Sequence, residues 1–363
     1  MRMIQRSVFV ALVIVVSPGV AAAQAPQWVH ELADEIAVTV ERQAGQIARA
    51  IEQQLEAQER RQPRGVGRGR EFTEPFSKTV RLGRNGTFDL QNISGDIVVT
   101  GGGGNDVRLE ATKRVRHPNE AEAKALLSEI AIQIQERNGS VEVRTDYPRR
   151  RTWSGGVDYS VAVPRDANVS LRSVSGTVRV TNVNGELRAE SVSGDVIASS
   201  VRRLRLMKSV SGDLEITDAE ADELTAGSVS GDIIVNKLKA VGIDGQGVSG
   251  DLRLTDVEID HASLRSVSGD IEYAGRLVRN GRYEFQSHSG DLRIMPGDAR
   301  GFAVEATTFS GDVRSDYPLT LQTAPGNAPG PRRRNSSIRG SFGDAGATLT
   351  LQSFSGDIVI VKR

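Results

Sequence analysis

The residues whose type and spacing could do chemistry in this chain of 363 residues are aspartates that follow glycine in a repeated turn. A Ser-Gly turn recurs ten times, and nine of the ten place Asp directly after the glycine, with Thr177 as the exception. The turn glycines are Gly95, Gly176, Gly194, Gly212, Gly231, Gly250, Gly269, Gly290, Gly311 and Gly356. From the second to the ninth of them, the intervals are 18, 18, 19, 19, 19, 21 and 21 residues.

If these units stack, the aspartates form a column of carboxylates. At a strand spacing of ~4.8 Å, two neighbouring charges repel by about 3.5 kcal/mol at an effective dielectric of 20. The column must therefore be solvated, bonded to backbone amides or bridged by cations. Aspartate in turns ordinarily bonds nearby amides, which favours a structural role, and calcium is the alternative. The predicted turn ladder consists of Gly194, Asp195, Gly212, Asp213, Gly231, Asp232, Gly250, Asp251, Gly269 and Asp270.

A nearly fixed short period predicts that each unit stacks on the preceding one in a solenoid. Apolar residues two and four positions after the turn glycine, such as Leu214 and Ile216, and others upstream of it, such as Leu224, favour two strands per rung. We expect the turn valines, such as Val192 and Val229, to point inward as well. The fold class is all-β: a parallel β-solenoid or β-helix-like repeat domain, preceded by an N-terminal helix and a flexible linker.

The N-terminal residues predict export. Residues 1–23 carry Arg2, Arg6, a short apolar run and Ala21-Ala22-Ala23, which is typical of a secretory signal peptide. Residues 24–62 are expected to form an amphipathic helix, which could mediate oligomerisation, and residues 63–71 an Arg/Gly-rich linker. No later segment is long and apolar enough to cross a bilayer. We expect a periplasmic, cell-envelope or extracellular protein.

Residues 72–363 are predicted to form the β-repeat domain. Residues 72–165 are its non-repetitive start, with a short helix over 120–129 capped by Asn119 with Glu122 as capping-box partner, and a hairpin across Asn138-Gly139. Residues 166–363 carry the rungs, with a loop insertion at 315–345.

Composition excludes several kinds of function. The chain has no cysteine, so disulfides and thiolate metal sites are excluded. Without Arg2 and Arg6, 44 basic residues face 46 acidic ones, a net charge of −2 that argues against a nucleic-acid partner. The four histidines have no metal-ligand spacing. No catalytic residue, cofactor or metal is therefore assigned, apart from the calcium alternative.

Three places depart from the repeat, and the last two of them are candidates for contact. His288 replaces the turn valine, and we expect its side chain to be buried by packing and hydrogen-bonded to the backbone. Tyr147 to Trp153 enclose three arginines, and the Pro/Gly-rich stretch from Thr323 to Gly330 continues into three more. Loops inserted into a rigid solenoid are where binding surfaces tend to lie.

The run of Val-Ser-Gly-Asp-Ile/Leu units, with the closing segments 340–343 and 354–358, resembles the bacterial “putative adhesin” family of exported β-strand repeat proteins, a domain of unknown function. The resemblance covers residues 76–363. It implies a solenoid-like β domain that is exported or associated with the cell envelope, and it supplies no catalytic or binding residue.

We therefore expect a non-catalytic exported scaffold, adhesin-like, that binds a surface polysaccharide or an envelope protein. A carbohydrate-active β-helix enzyme is the alternative. Such an enzyme needs a local cluster of carboxylates with Arg, Lys or His, whereas the acids here are spread one per turn.

Overall fold

The computed structural model describes residues 69–83, 85–148, 153–298, 300–321 and 336–362. The predicted signal peptide and N-terminal helix, residues 1–62, and most of the linker lie outside the described residues. Within the described ranges, the chain forms 23 strands and one helix, and all the strands join one hydrogen-bonded sheet. No helix in this part of the chain is long and apolar enough to cross a membrane.

The start of the domain consists of β1 (Arg70–Arg81), β2 (Thr87–Ser94), β3 (Ile97–Gly102), β4 (Asp106–His117), α1 (Glu120–Glu129), β5 (Ala131–Arg137), β6 (Ser140–Asp146) and β7 (Ser154–Pro164). The central rungs consist of β8 (Asn168–Ser175), β9 (Val178–Thr181), β10 (Glu186–Ser193), β11 (Val196–Val201), β12 (Arg203–Ser211), β13 (Leu214–Ser230), β14 (Ile233–Ser249), β15 (Leu252–Ser268), β16 (Ile271–Ser289) and β17 (Leu292–Gly297). The end consists of β18 (Gly301–Ser310), β19 (Val313–Ser315), β20 (Thr320–Leu321), β21 (Ser336–Gly343), β22 (Ala347–Ser355) and β23 (Ile358–Ile360).

The period-two alternation of the sequence places one face of each strand in a narrow interior. In β13, Leu214 and Ile216 are buried while Glu215 between them is exposed. Successive rungs pair in parallel and in register, since Leu214 pairs with Ile233 and Ile233 pairs with Leu252. The predicted parallel β-solenoid is confirmed.

The turn valines do not point inward, and this expectation was wrong. Val192 and Val229 are half-buried on the outer surface, whereas Ser191 and Ser228 are buried. The alternation that starts at the inward Leu224 places Ser228 inside and Val229 outside. The inward serine has a bonding role, because Ser228 Oγ donates to the carbonyl oxygen of a glycine in the preceding rung at 3.2 Å.

The central rungs have three paired segments where the sequence favoured two. Strands β13, β14 and β15 each run for 17 residues from one turn to the next. They bend at Asp218, Lys237 and Asp256, where φ is 53°, 54° and 56°. After each bend a short middle segment also pairs, as Ala219 does with Leu238.

The predicted helix and hairpin are both present in the start of the domain. Strands β5 and β6 pair antiparallel across Asn138-Gly139. Asn119 caps α1, since its Oδ1 accepts from the backbone N–H of Ala121 at 2.8 Å. The expected capping box is absent here, because Glu122 pairs with His117 Nε2 at 3.2 Å and the Asn119 N–H donates to His117 Nδ1 at 3.1 Å. His117 takes the role that the sequence assigned to Glu122.

The order of rungs in the stack departs from their order in the chain at both ends. Strand β2 pairs with β6 on one side and with β8 on the other, so the rung of β6 and β7 lies outside that of β2 and β3. At the far end, β22 lies between β16 and β18. The expectation that each unit stacks on the preceding one is therefore wrong for the terminal rungs.

Antiparallel strands cover the two ends of the stack. At the start, β5 pairs with β6 and β4 pairs with β7, and at the end β21 pairs with β18. Residues 315–345, expected to form a loop insertion, contain β20 and β21, while 322–335 lie outside the described residues. These strands pair the edges of the parallel rungs that would otherwise be exposed.

The turn glycines allow close stacking. Gly231 has a φ of +148°, and a Cβ on it would overlap the Gly212 carbonyl oxygen of the preceding rung. Gly231→Ala should therefore lower the free energy of unfolding by about 3 kcal/mol, measured by urea denaturation. Gly227→Ala is the matched control, because its Cβ would lie 3.7 Å or more from its nearest neighbours. Equal urea midpoints for the two variants would contradict this account.

Candidate functional site

Each turn aspartate except Asp312, the last in the stack, bonds the next rung rather than its own turn. Asp232 Oδ1 accepts a hydrogen bond from the backbone N–H of Asp251 at 2.8 Å. The same bond, at 2.8–3.0 Å, links Asp195 to Asp213, Asp213 to Asp232, Asp251 to Asp270, Asp270 to Asp291, Asp291 to Asp357 and Asp357 to Asp312. The predicted ladder residues therefore lie in one line along the turn edge of the solenoid.

Three consecutive backbone donors in each turn find partners in neighbouring rungs. The Gly231 N–H donates to Ser249 O at 3.1 Å, and the Ile233 N–H donates to Asp251 O at 2.9 Å. The Asp232 N–H points the other way and donates to Asp213 Oδ1 at 2.8 Å. The carboxylate thus supplies the acceptor for the one donor that faces the preceding rung.

The carboxylate column begins at a residue that the sequence reasoning missed. The Asp96 N–H donates to Asp158 Oδ1 at 3.0 Å, and the Thr177 N–H donates to Asp96 Oδ1 at 2.9 Å. Arg114 Nη2 lies 2.5 Å from the same Asp158 oxygen. Asp158 does not directly follow a Ser-Gly pair, because Gly156 and Val157 separate it from Ser154-Gly155, so the repeat gave no signal for it. Thr177 carries no carboxylate for Asp195, and the column is interrupted there.

Arginine side chains neutralise part of the column. Arg253 bridges two rungs, with Nη1 at 3.2 Å from Asp232 Oδ2 and Nη2 bonded to Asp251 Oδ2. Arg314 Nη2 lies 2.9 Å from Asp312 Oδ2. In the described part of the chain, no group of three or more His, Asp or Glu residues has a geometry that could hold a metal ion.

Beside the carboxylates runs a second column, the outer ladder, formed by the residue two positions before each turn glycine. Its members are half-buried, and the residues next to them pair in register from rung to rung. In stacking order the outer ladder consists of Ile93, Val174, Val192, Val210, Val229, Val248, Val267, His288, Phe354 and Phe309. At its far end His288 stacks on Phe354 with ring centroids 5.0 Å apart, and Phe354 stacks on Phe309 at 4.9 Å.

The three histidines in the described ranges form no common site. His288, expected to replace an inward residue, lies on the outer surface in the outer ladder. His261 Nε2 lies 3.3 Å from Glu223 Oε1, and the two side chains meet above Gly242, which lies in the rung between them. His117 belongs to the helix cap, and His30 lies outside the described residues.

A cleft lies on the outer face of the sheet at the start of the carboxylate column. It has a volume of about 610 Å³ and lies among β1, β4, β7 and β3. Its polar lining includes the hydroxyls of Ser77, Thr112 and Ser160 and the carboxylates of Asp96, Glu110 and Asp158. A second cleft of about 410 Å³ follows the bends at Asp218, Lys237 and Asp256.

The Tyr147–Trp153 contact region lies next to this start of the column. The two rings stack with centroids 5.5 Å apart, and Tyr147 Oη donates to Asn92 Oδ1 at 2.7 Å. Tyr159 Oη lies 2.7 Å from Thr145 Oγ1. Burial raises the pKa of Tyr159 to about 12 and raises the pKa of Tyr147 further above its usual range. The arginines at 149–151 and the stretch at 323–334 lie outside the described residues.

Comparison with known proteins gives one family match and several distant structures. A family model described as Toastrack DUF4097 matches residues 96–361. No curated protein matches the chain. A “putative adhesin” from Bacteroides fragilis is 12% identical with a TM-score of 0.40, covering 79% of this chain and 97% of its own. A “putative lipid binding protein” from Parabacteroides distasonis is 12% identical with a TM-score of 0.45, covering 79% and 96%.

A “putative cell adhesion protein” from Clostridium sporogenes is 10% identical with a TM-score of 0.22, and the match covers 80% of this chain and 100% of that one.

Substitutions in the carboxylate column can distinguish aspartates that bond backbone amides from aspartates that bind calcium. Asp232→Ala should lower the free energy of unfolding by about 1 kcal/mol, because the Asp251 N–H loses its acceptor. Asp232→Asn is the matched control, since it keeps an oxygen at Oδ1, and it should lose less. Both differences should be the same in calcium and in EGTA. A large calcium-dependent rise in Tm, absent when Asp213, Asp232 and Asp251 are all replaced by Asn, would overturn this account.

The buried tyrosines generate a pH prediction. Because the unfolded chain ionises Tyr159 near pH ~10 and the folded chain only near 12, the folded state holds more protons between these values. Stability should therefore be full below pH ~10 and fall as the pH rises towards 12. Tyr159→Phe should make this fall shallower, measured by urea denaturation against its own stability at pH 7. An unchanged slope would show that Tyr159 does not contribute.

Proposed function

The chain belongs to the Toastrack DUF4097 family, and we propose that it is a non-catalytic, adhesin-like scaffold that binds a surface polymer or another protein outside the cytoplasm. The binding surface is the outer face of the β-solenoid. Its rigidity follows from the continuous pairing of rungs, which fixes the outward side chains at intervals of ~4.8 Å. A regular array of this kind suits a partner that is itself extended or repetitive.

The use of the turn aspartates supports a scaffold rather than a catalyst. A general acid or base must present its carboxyl group to a substrate. Here one oxygen of each aspartate in the column except Asp312, the last, is bonded to a backbone amide of the next rung, as Asp232 is to Asp251. The same bond repeats along the stack, which is the distribution expected for a folding element and not for a single catalytic centre.

The cleft at the start of the column is the observation that carries the proposal. Side-chain hydroxyls and carboxylates donate to and accept from the hydroxyl groups of a sugar, and Val98 adds apolar surface to the same cleft. Asp158 is held by Arg114 and by the Asp96 N–H, so its orientation is fixed before any ligand binds. This combination fits a hydroxyl-rich polymer chain lying on the sheet.

Location outside the cytoplasm rests on the first residues of the sequence. The positive charge, apolar run and small residues of 1–23 are those of a secretory signal peptide. The mature chain would then be periplasmic, attached to the cell envelope or extracellular. Without cysteine, it keeps the same covalent structure in an oxidising compartment as in a reducing one.

Binding and turnover should be measured together on a panel of acidic and neutral polysaccharides. We expect binding without product formation, and Ser160→Trp should weaken the binding at least tenfold because the indole fills the cleft. Thr348→Trp is the matched control, since Thr348 is exposed on a strand near the other end of the solenoid.

If product forms and a single Asp or His substitution abolishes it, the protein is a carbohydrate-active enzyme and the scaffold proposal is wrong. Binding that both tryptophan variants leave unchanged would place the contact surface away from the cleft.

A further inference from the structure

The outer ladder is apolar where its neighbouring column is polar. Both columns belong to the same strands and point to the same side, since they differ by two residues. The neighbouring column consists, in stacking order, of Gln91, Arg172, Glu190, Lys208, Gly227, Gln246, Arg265, Gln286, Gln352 and Thr307. In the outer ladder, nine of ten positions are Val, Ile or Phe. The preference of residues for β-strands applies to both columns equally, so it does not explain why one is apolar and the other polar. The apolar character of the outer ladder indicates that another segment covers it.

We infer that the occupant is the N-terminal segment of this chain, residues 24–62, packed as a helix along the outer ladder. This segment lies outside the described residues, and its sequence carries an apolar stripe at Val29, Leu32, Ile36, Val40, Ile47, Ile51 and Leu55. As a helix, the stripe from Val29 to Leu55 is about 39 Å long. The outer ladder spans nine rung intervals, about 43 Å. The two apolar surfaces match in length.

The place where the described chain begins supports this occupant. Arg70 in β1 pairs with His117 in β4, and Arg116 beside it pairs with Ser154 in β7. Gly156 in β7 lies against Ser94, the residue that follows Ile93 of the outer ladder. The chain therefore enters the fold at the turn edge, three strand spacings or roughly 14 Å from the first residue of the ladder.

The tether and its attachment set the direction of the helix. Residues 56–68 can span up to about 45 Å when extended, more than the roughly 14 Å required. Because the tether leads from the end of the stack that holds Ile93, Leu55 lies over that end. Ile36, about 29 Å further along the helix, then lies six rungs away, near Val267.

Cysteine pairs test this arrangement directly, since the chain has no cysteine of its own. In the mature chain from residue 24, Leu55→Cys with Val174→Cys and Ile36→Cys with Val267→Cys should cross-link within one chain through a short thiol reagent. The exchanged pairs, Leu55→Cys with Val267→Cys and Ile36→Cys with Val174→Cys, are the controls. They should react at least tenfold less, because about five rungs separate Val174 from Val267.

A second comparison tests the apolar contact. Val210→Lys together with Val248→Lys should reduce cross-linking of the Leu55/Val174 cysteine pair severalfold, whereas Gln246→Lys in the neighbouring column should leave it unchanged. Equal reaction of matched and exchanged pairs, or no reaction in any pair, would overturn the inference. Cross-links that form only between two chains would also overturn it and would assign the outer ladder to a second copy.

Discussion

Contact between successive turns is the constraint on which the rest of the structure depends. Rungs can pair in parallel only if their turns stack as closely as their strands, at ~4.8 Å. At the turn edge this leaves no room for a Cβ, as Gly231 against Gly212 illustrates, and it leaves one backbone donor facing the preceding rung. The glycine meets the steric demand, and the aspartate that follows it meets the hydrogen-bonding demand.

Much of the fold could be predicted from the sequence because these demands repeat. The period of the Ser-Gly-Asp turn indicated a solenoid, and the alternation around Leu214 and Ile216 indicated which residues form its interior. The inward position predicted for the turn valines was wrong because apolar character alone, as in Val229, does not decide which side of a strand is buried. The alternation within β13 places Ser228 inside, and the serine satisfies a glycine carbonyl there.

The features that could not be predicted depend on contacts between residues far apart in sequence. Asp158 begins the carboxylate column although its rung has no Ser-Gly-Asp turn, and only the pairing of β7 with β3 brings it beside Asp96. The cleft among β1, β4, β7 and β3 has the same origin, since its lining comes from four strands. A period in the sequence describes how neighbouring units stack, and it carries no information about strands that return to the stack from elsewhere.

The position of β22 between β16 and β18 makes synthesis of β22 a condition for closing the stack. Strand β18 precedes β22 in sequence, yet it reaches β16 only through β22. During synthesis, the rungs up to β16 and β17 can pair with one another, while β18 and β19 must wait for β22 and β23. A chain cut short before Ala347 would leave the β16 edge open, with free backbone donors and acceptors that invite pairing with other chains. Closure of the stack therefore depends on β22 and β23, which are synthesised after both of the rungs that they join.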